Sequence, residues 1–148
     1  MKYLLDTCIF NWIVNGTHAP SDLPAGEYLV THIQRDEIGK VSNEERRSAL
    51  LGAFELCEAE LVPTGVFVVG VSRIGQAALG GGGTYHRIYT ELTALDGSKR
   101  KHHSHMADAI IGATAHVRGV GLVTADADFF QVMKGILPEG HLVLWKKG

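Results

Sequence analysis

Residues 2–7, KYLLDT, place three consecutive apolar side chains directly before a carboxylate and a hydroxyl. A short apolar run without alternation is typical of a strand that is covered on both faces of a parallel sheet. Asp6 therefore falls where such a strand ends, and in open α/β sheets ligands bind at the carboxyl ends of the strands. The segment predicts a buried strand that delivers Asp6 to a binding site.

Three other acidic residues stand at comparable positions. Asp126 follows the apolar run GLVT at residues 121–124, Glu37 falls in a short helix that Thr31 is expected to cap, and Asp108 opens an apolar helix. Each alone has an ordinary structural interpretation, because Asp caps helices and acids are favoured in a first helical turn. Together they would place carboxylates around one cleft, where they repel one another unless they are protonated or bridged by a cation.

Length and composition narrow the class of protein. The 148 residues fit one domain, residues 1–148, which can bury a core without a disulfide or a structural metal. The formal net charge of −2 argues against a strongly basic nucleic-acid binder, so affinity for a polyanion is expected to be local. Cys8 and Cys57 are interpreted as small hydrophobic residues in a reducing, cytoplasmic setting. The sequence indicates neither a signal peptide nor an apolar stretch of the ~20 residues that a bilayer requires. No membrane association is therefore expected.

Strands and helices are predicted to alternate along the chain. Strands are expected at residues 3–5, 28–30, 66–71, 120–123 and 142–145, with helices between them. The segment at 66–71 is almost entirely apolar and is expected near the centre of the sheet. This alternation predicts a parallel sheet with helices on both faces.

Three long helices are expected, each with an apolar stripe at spacings of three and four residues. The first follows the capping sequence SNEE at residues 42–45 and continues to Leu61. The second is opened by Thr84, after a loop formed by the four glycines at residues 80–83, and the third is capped by Ser104. The residues expected in these stripes are Leu50, Ala53, Phe54, Cys57, Leu61, Ile88, Leu92, Leu95, Met106, Ile110, Ala113 and Val117.

Four segments of the chain together resemble the PIN-domain ribonucleases, in particular the VapC-type toxins of bacterial and archaeal toxin–antitoxin pairs. They are YLLDTCI at residues 3–9, THIQRDE at 31–37, MADAIIGA at 106–113 and LVTADADF at 122–129. The segments occur in this order and span nearly the whole chain. The resemblance implies a three-layer α/β/α PIN-like domain with a central parallel sheet of about five strands.

The resemblance also implies a function, a metal-dependent endoribonuclease that uses Mg²⁺ or Mn²⁺, ions that suit hard oxygen ligands. An antitoxin protein and a homodimer are implied as partners, beside the RNA substrate. Asp36, next to Glu37, is the alternative for the second acidic position. The implied catalytic and metal-binding residues are Asp6, Glu37, Asp108 and Asp126, with Asp128 as an occasional fifth member and Thr7 and Thr124 as supporting residues.

A basic, histidine-rich stretch precedes Asp108. One hypothesis is that it contacts RNA phosphates, and another is that it is a solvated loop. A transition-metal site is a third, although no cysteine lies nearby and adjacent histidines cannot easily face one ion. The residues assigned to RNA binding are Lys99, Arg100, Lys101, His102 and His103, with His105 following them.

Other functions fit the sequence less well. A catalytically inactive PIN-like module that binds RNA or a protein is the main alternative, although inactive members commonly lose one of the four carboxylates. Phosphatases of the haloacid-dehalogenase type need an Asp two residues after the first one, where this chain has Cys8. A response-regulator receiver expects an acidic pair after its first strand and a Lys after a late one, whereas Asp6 is alone and no Lys follows Thr124.

Overall fold

The computed structural model describes residues 1–65, 82–96 and 102–146, with only the backbone of residues 82, 96 and 102–104. Within these ranges five parallel strands form one central sheet with helices on both faces, so the predicted fold class is confirmed. A 3₁₀ turn spans Pro20–Asp22. The helices and strands, in chain order, are β1 (Lys2–Leu5), α1 (Cys8–Val14), β2 (Glu27–Val30), α2 (His32–Gly39), α3 (Glu44–Leu56), β3 (Glu60–Leu61), α4 (Gly82–Asp96), α5 (His102–Arg118), β4 (Gly121–Thr124), α6 (Ala127–Met133) and β5 (Leu142–Leu144).

The strand order is β3-β2-β1-β4-β5, and every neighbouring pair is parallel. β1 is central, with β2 on one side and β4 on the other, so the direction in which the chain adds strands reverses at β1. Such a switch point leaves a crevice at the carboxyl ends of the strands. Asp6 directly follows β1, and its backbone N–H donates to the carbonyl oxygen of Val123 at 2.9 Å.

Two hydrophobic clusters cover the two faces of the sheet. Successive side chains of a strand point to opposite faces. Leu4 of β1 and Leu122 of β4 therefore pack with α4, α5 and α6, whereas Leu5 and Val123 pack with α1, α2 and α3. The three layers are thus helices α1–α3, the sheet, and helices α4–α6.

Two helices begin earlier than the sequence predicted. α4 starts at Gly82, so Gly82 and Gly83 are helical and the loop expected for residues 80–83 is wrong for these two. α5 starts at His102, so Ser104 is not its N-cap. Local propensity is a weak guide, and here packing in the cluster that joins α4 and α5 overrides it. Residues 66–81, which include the strand predicted at 66–71, lie outside the described residues.

Three residues assigned to buried stripes are exposed: Leu61, Leu95 and Val117. Leu61 belongs to β3, a two-residue edge strand that the sequence did not indicate. Leu95 and Val117 lie in the last turns of α4 and α5, where the helices extend past their packed centres. Among the helices in the described ranges, none is long and apolar enough to cross a membrane.

Gly112 of α5 lies one turn after Asp108 and tests this packing. A Cβ at Gly112 would lie 2.8 Å from Met133 Sδ and 2.9 Å from Ile88 Cδ1, and both side chains are buried. Overpacking of a core costs about 1–3 kcal/mol, which outweighs the ~1 kcal/mol by which Ala favours a helix over Gly. We predict that Gly112→Ala lowers the free energy of unfolding by up to about 2 kcal/mol in a urea titration, the overpacking cost less the gain in helix propensity.

Gly52→Ala is the matched control, since Gly52 lies within α3 and its Cβ would meet nothing within 4 Å. This substitution should raise stability by about 0.5–1 kcal/mol. Equal effects at the two glycines would contradict the close packing of α5 against α4 and α6.

Candidate functional site

The four acidic residues singled out in the sequence line one open cleft at the carboxyl edge of the sheet. They reach it from the end of β1, from α2, from α5 and from the N-cap of α6. Glu37 lines the cleft, whereas its alternative Asp36 and the fifth candidate Asp128 do not. The cleft has a volume of about 250 Å³, and its lining residues are Asp6, Thr7, Cys8, Asn11, Glu37, Asp108 and Asp126.

Asp6 is only 3% exposed, and hydrogen bonds hold its buried carboxylate in place. Its Oδ1 accepts from the backbone N–H of Thr7 at 2.8 Å, and its Oδ2 accepts from the hydroxyl of Thr124 at 2.7 Å. The thiol of Cys8 donates to the same Oδ2 at 3.2 Å. Donors to a carboxylate form strong, short hydrogen bonds, so these contacts fix the orientation of Asp6 in the cleft.

The Thr124 hydroxyl connects Asp6 to Asp126. Thr124 is fully buried at the end of β4, and its Oγ1 also accepts from the backbone N–H of Asp126 at 3.0 Å. Asp126 caps α6, because its Oδ1 accepts from the backbone N–H groups of Asp128 and Phe129 at 2.9 and 3.1 Å. Asp126 therefore has both of the roles considered from the sequence: it caps a helix and it lines the cleft.

Glu37 is oriented by Thr7, whose hydroxyl donates to Glu37 Oε1 at 2.7 Å. Burial raises the pKa of Glu37 from 4.5 to about 7; the Thr7 hydrogen bond opposes the rise, the charge of Asp6 adds to it, and Lys40 opposes it. A cleft that keeps a carboxyl group protonated near neutral pH is one in which an added cation would stabilise the charged form.

Gln34 sets the position of α2 relative to β1, a role that the sequence analysis missed. Its Nε2 donates to the carbonyl oxygen of Leu5 at 2.8 Å, and its Oε1 accepts from the backbone N–H and the hydroxyl of Thr31 at 2.9 and 2.6 Å. Gln34 is fully buried one turn before Glu37. The pattern THIQ at residues 31–34 is a capping-box signal, which could have identified it.

Cys8 differs from its interpretation as a simple hydrophobic residue. Its thiol lies in the cleft, where it donates to Asp6 and accepts from the backbone N–H of Ala125 at 3.2 Å. Burial raises the pKa of the Cys8 thiol, and the charge of Asp6 adds to the rise, so the thiol stays protonated as a donor. Cys57 is buried in the core, as expected.

Most of the basic stretch before Asp108 lies outside the described residues. This holds for Lys99, Arg100 and Lys101 and for the side chains of His102 and His103. Their contact with RNA therefore stays a prediction. His105 is 2% exposed, and its Nδ1 lies 3.3 Å from Thr93 Oγ1 of α4. His105 is therefore a core residue between α4 and α5.

The donor chemistry of the cleft fits a hard divalent cation, because four carboxylates line it. Within the described ranges, however, no three His, Cys, Asp or Glu side chains are close enough together to hold an ion as they stand. Hydrogen bonds from Thr7 and Thr124 occupy carboxylate oxygens of Glu37 and Asp6. Mutual repulsion of uncompensated carboxylates favours such a spread arrangement.

Comparison with known proteins gives similarity at the level of whole structures only. No family model matches the chain, and neither does any curated protein. The structure of VapBC2 from Rickettsia felis bound to a DNA fragment from their promoter is similar with a TM-score of 0.48 and 18% identity, over 98% of this chain and 98% of that chain. FitAcB from Neisseria gonorrhoeae gives a TM-score of 0.49 and 14% identity, over 98% and 97%. At these values neither likeness decides an activity.

The raised pKa of Glu37 predicts how stability depends on pH in the metal-free protein. Between about 4.5 and about 7 the folded protein keeps a proton that the unfolded chain releases. This contribution is complete below pH 4.5 and is lost as the pH rises through about 7. Glu37 is partly exposed, so solvent screening reduces this contribution to the free energy of unfolding to about 2 kcal/mol.

Urea titrations at about pH 5 and about pH 8 measure this effect. Glu37→Gln, which is neutral throughout, should remove this part of the pH dependence, and Glu139→Gln at an exposed position should leave it in place. Parallel pH profiles for the wild type and Glu37→Gln would contradict the protonated state of Glu37.

Proposed function

We propose that this chain is a metal-dependent endoribonuclease that hydrolyses RNA phosphodiester bonds and binds Mg²⁺ or Mn²⁺ through Asp6, Glu37, Asp108 and Asp126. One observation supports it above all: these four carboxylates, from four distant segments, line a single cleft at the switch point of a parallel sheet. A helix-capping role alone gives no reason for all four to meet in one place.

Electrostatics favours a cation between these residues and an anionic substrate. A phosphodiester and a cluster of carboxylates repel each other, and the repulsion is stronger where water is partly excluded. When bound, a divalent ion supplies the positive charge that holds the phosphate and the acidity that activates water. An uncharged or cationic substrate would not require such an ion.

The chain's own residues have defined tasks in this proposal. Thr124 holds Asp6 and Asp126 in a fixed relation, since its hydroxyl contacts both residues. Thr7 holds Glu37 through its hydroxyl and Asp6 through its backbone N–H. Preorganised ligands reduce the reorganisation that accompanies binding and catalysis, which is why these threonines support the site.

The biological part of the proposal is that the nuclease is the toxin of a type II toxin–antitoxin pair, with an antitoxin and a second copy of the chain as partners. It depends on the resemblance of the four sequence segments to VapC-type toxins. The cleft supports the proposed chemistry and does not bear on the partner.

A catalytically inactive PIN-like module is the second candidate, favoured by a specific observation. In the part of the chain that the structure describes, no three potential ligands stand ready to hold an ion. Such a module would bind RNA or a protein without cleaving it, and addition of Mg²⁺ or Mn²⁺ would change nothing.

Cleavage of a single-stranded oligoribonucleotide by the purified protein, with Mg²⁺ or Mn²⁺ and with EDTA, tests the proposal. Glu37→Gln should lower the rate by at least about 100-fold, because it removes a charge that the proposed ion requires. Asp36→Asn is the matched control: Asp36 is an acid on the same helix that does not line the cleft, and its loss should change the rate by no more than about twofold.

Three outcomes separate the candidates. Metal-dependent cleavage that is lost in Glu37→Gln and retained in Asp36→Asn supports the nuclease. Cleavage that EDTA or Glu37→Gln leaves unchanged overturns the metal mechanism. RNA binding without cleavage by the wild type, at any concentration of either ion, favours the inactive module.

A further inference from the structure

Asn11 differs from every other residue that lines the cleft. Among the described residues of the lining, it is the one whose side chain carries N–H donors, since the others are Asp, Glu, Thr and Cys. The hydroxyl of Thr7 and the thiol of Cys8 already donate to Glu37 and Asp6. The Asn11 amide is therefore the natural place to look for a donor to a substrate.

Arg46 determines which way the Asn11 amide faces. Arg46 Nη2 donates to Asn11 Oδ1 at 2.8 Å, and Arg46 Nη1 donates to Asn15 Oδ1 at 3.1 Å. A guanidinium group has donors but no acceptor, so the oxygen of the Asn11 amide must face Arg46. The NH₂ group of Asn11 must then point away from Arg46.

The NH₂ group of Asn11 has no acceptor among the residues that the structure describes, although Asn11 is only partly exposed on the cleft wall. Arg46 is itself fixed, because its backbone N–H donates to the N-cap residue Asn43 at 2.8 Å in the first turn of α3. α3 thus holds, through Arg46, a donor on α1 that is available to a ligand.

We propose that Asn11 donates a hydrogen bond to a non-bridging phosphate oxygen of the bound RNA strand, beside the acidic site, and that Arg46 is the positioning residue that orients Asn11. This inference rests on the proposed nuclease function. Asn11 would form a neutral backbone-binding subsite that needs no cation of its own, next to carboxylates that do need one.

The chemistry of the cleft favours phosphate as the acceptor. Side chains and backbone N–H groups direct most hydrogen bonds in nucleic-acid complexes to phosphate and sugar, which sets the register of the strand. A donor paired with an anionic oxygen forms a stronger bond than one paired with a neutral group. The positive charge of Arg46 on the far side of the amide adds to the attraction for a polyanion.

A simpler role is that Arg46 only ties α3 to α1. Asn15 separates the two roles, because it accepts from the same guanidinium but does not line the cleft. If the contact is purely structural, Asn11→Ala and Asn15→Ala should have similar effects. If Asn11 binds RNA, Asn11→Ala alone should affect substrate binding.

The experiment compares Asn11→Ala, Asn15→Ala, Arg46→Ala and the double variant Asn11→Ala/Arg46→Ala with the wild type. Anisotropy of a fluorescein-labelled single-stranded oligoribonucleotide, with Ca²⁺ in place of Mg²⁺, gives Kd, and cleavage with Mg²⁺ gives KM and kcat. Asn11→Ala should raise Kd and KM about tenfold, the effect of one hydrogen bond to a charged group, with kcat unchanged and only a small loss of Tm from the missing Arg46 contact. Arg46→Ala should have a similar effect, the double variant should be no worse than either single variant, and Asn15→Ala should bind like the wild type.

A DNA oligonucleotide of the same sequence identifies the acceptor. A phosphate contact predicts that Asn11→Ala weakens the binding of RNA and DNA by the same factor, whereas a loss for RNA alone would place the contact at the 2′-hydroxyl and overturn the phosphate assignment. Unchanged Kd and KM in Asn11→Ala, or an equal rise of Kd in Asn11→Ala and Asn15→Ala, would overturn the subsite. Because Kd is measured without cleavage, a wild type that binds but does not cleave contradicts the nuclease and still tests Asn11, and a wild type that does neither overturns both.

Discussion

The hydrogen bond from Thr124 Oγ1 to Asp6 Oδ2, 2.7 Å long and buried, is the interaction on which the rest of the site depends. It joins residues 118 positions apart in the chain and connects the ends of the two adjacent central strands, β1 and β4. A buried carboxylate is costly unless donors surround it, so the sheet must bring Thr124 to Asp6 for the fold to tolerate the charge. The same hydroxyl then places Asp126 beside Asp6. Fold stability and the placement of the acids thus share one contact.

Two features of the cleft oppose each other when no cation is bound: several acidic side chains share it, and burial disfavours their charged forms. Its carboxylates come from four segments, and burial with the charge of Asp6 nearby keeps Glu37 protonated near neutral pH. Threonine hydroxyls hold the carboxylates in fixed orientations, and Asn11 adds an amide donor to the lining. We propose that this arrangement takes up a hard cation, which would offset the repulsion between the carboxylates.

The elements that the sequence predicted well are those with a local signal. β1, β2, β4 and β5 are apolar runs with clear ends, and the acids that follow β1 and β4 reach the cleft because parallel strands end at one edge. The two-residue strand β3 and the starts of α4 and α5 have no such signal, because pairing and packing with distant segments create them. The contacts of Gln34 with Leu5 and of Arg46 with Asn11 were missed for the same reason: the partners are 29 and 35 residues apart, and neither separation leaves a pattern in the sequence.

Anomalous diffraction from crystals soaked in Mn²⁺ tests the central claim, that carboxylates from four segments together form one site for a divalent cation. We expect a strong anomalous peak in the cleft, within coordination distance of oxygen atoms of Asp6 and of at least one of Glu37, Asp108 and Asp126, after small side-chain rotations. The peak should be lost in crystals of Asp6→Asn. A cleft without a peak at millimolar Mn²⁺, or Mn²⁺ bound only at carboxylates elsewhere on the surface, would contradict this claim.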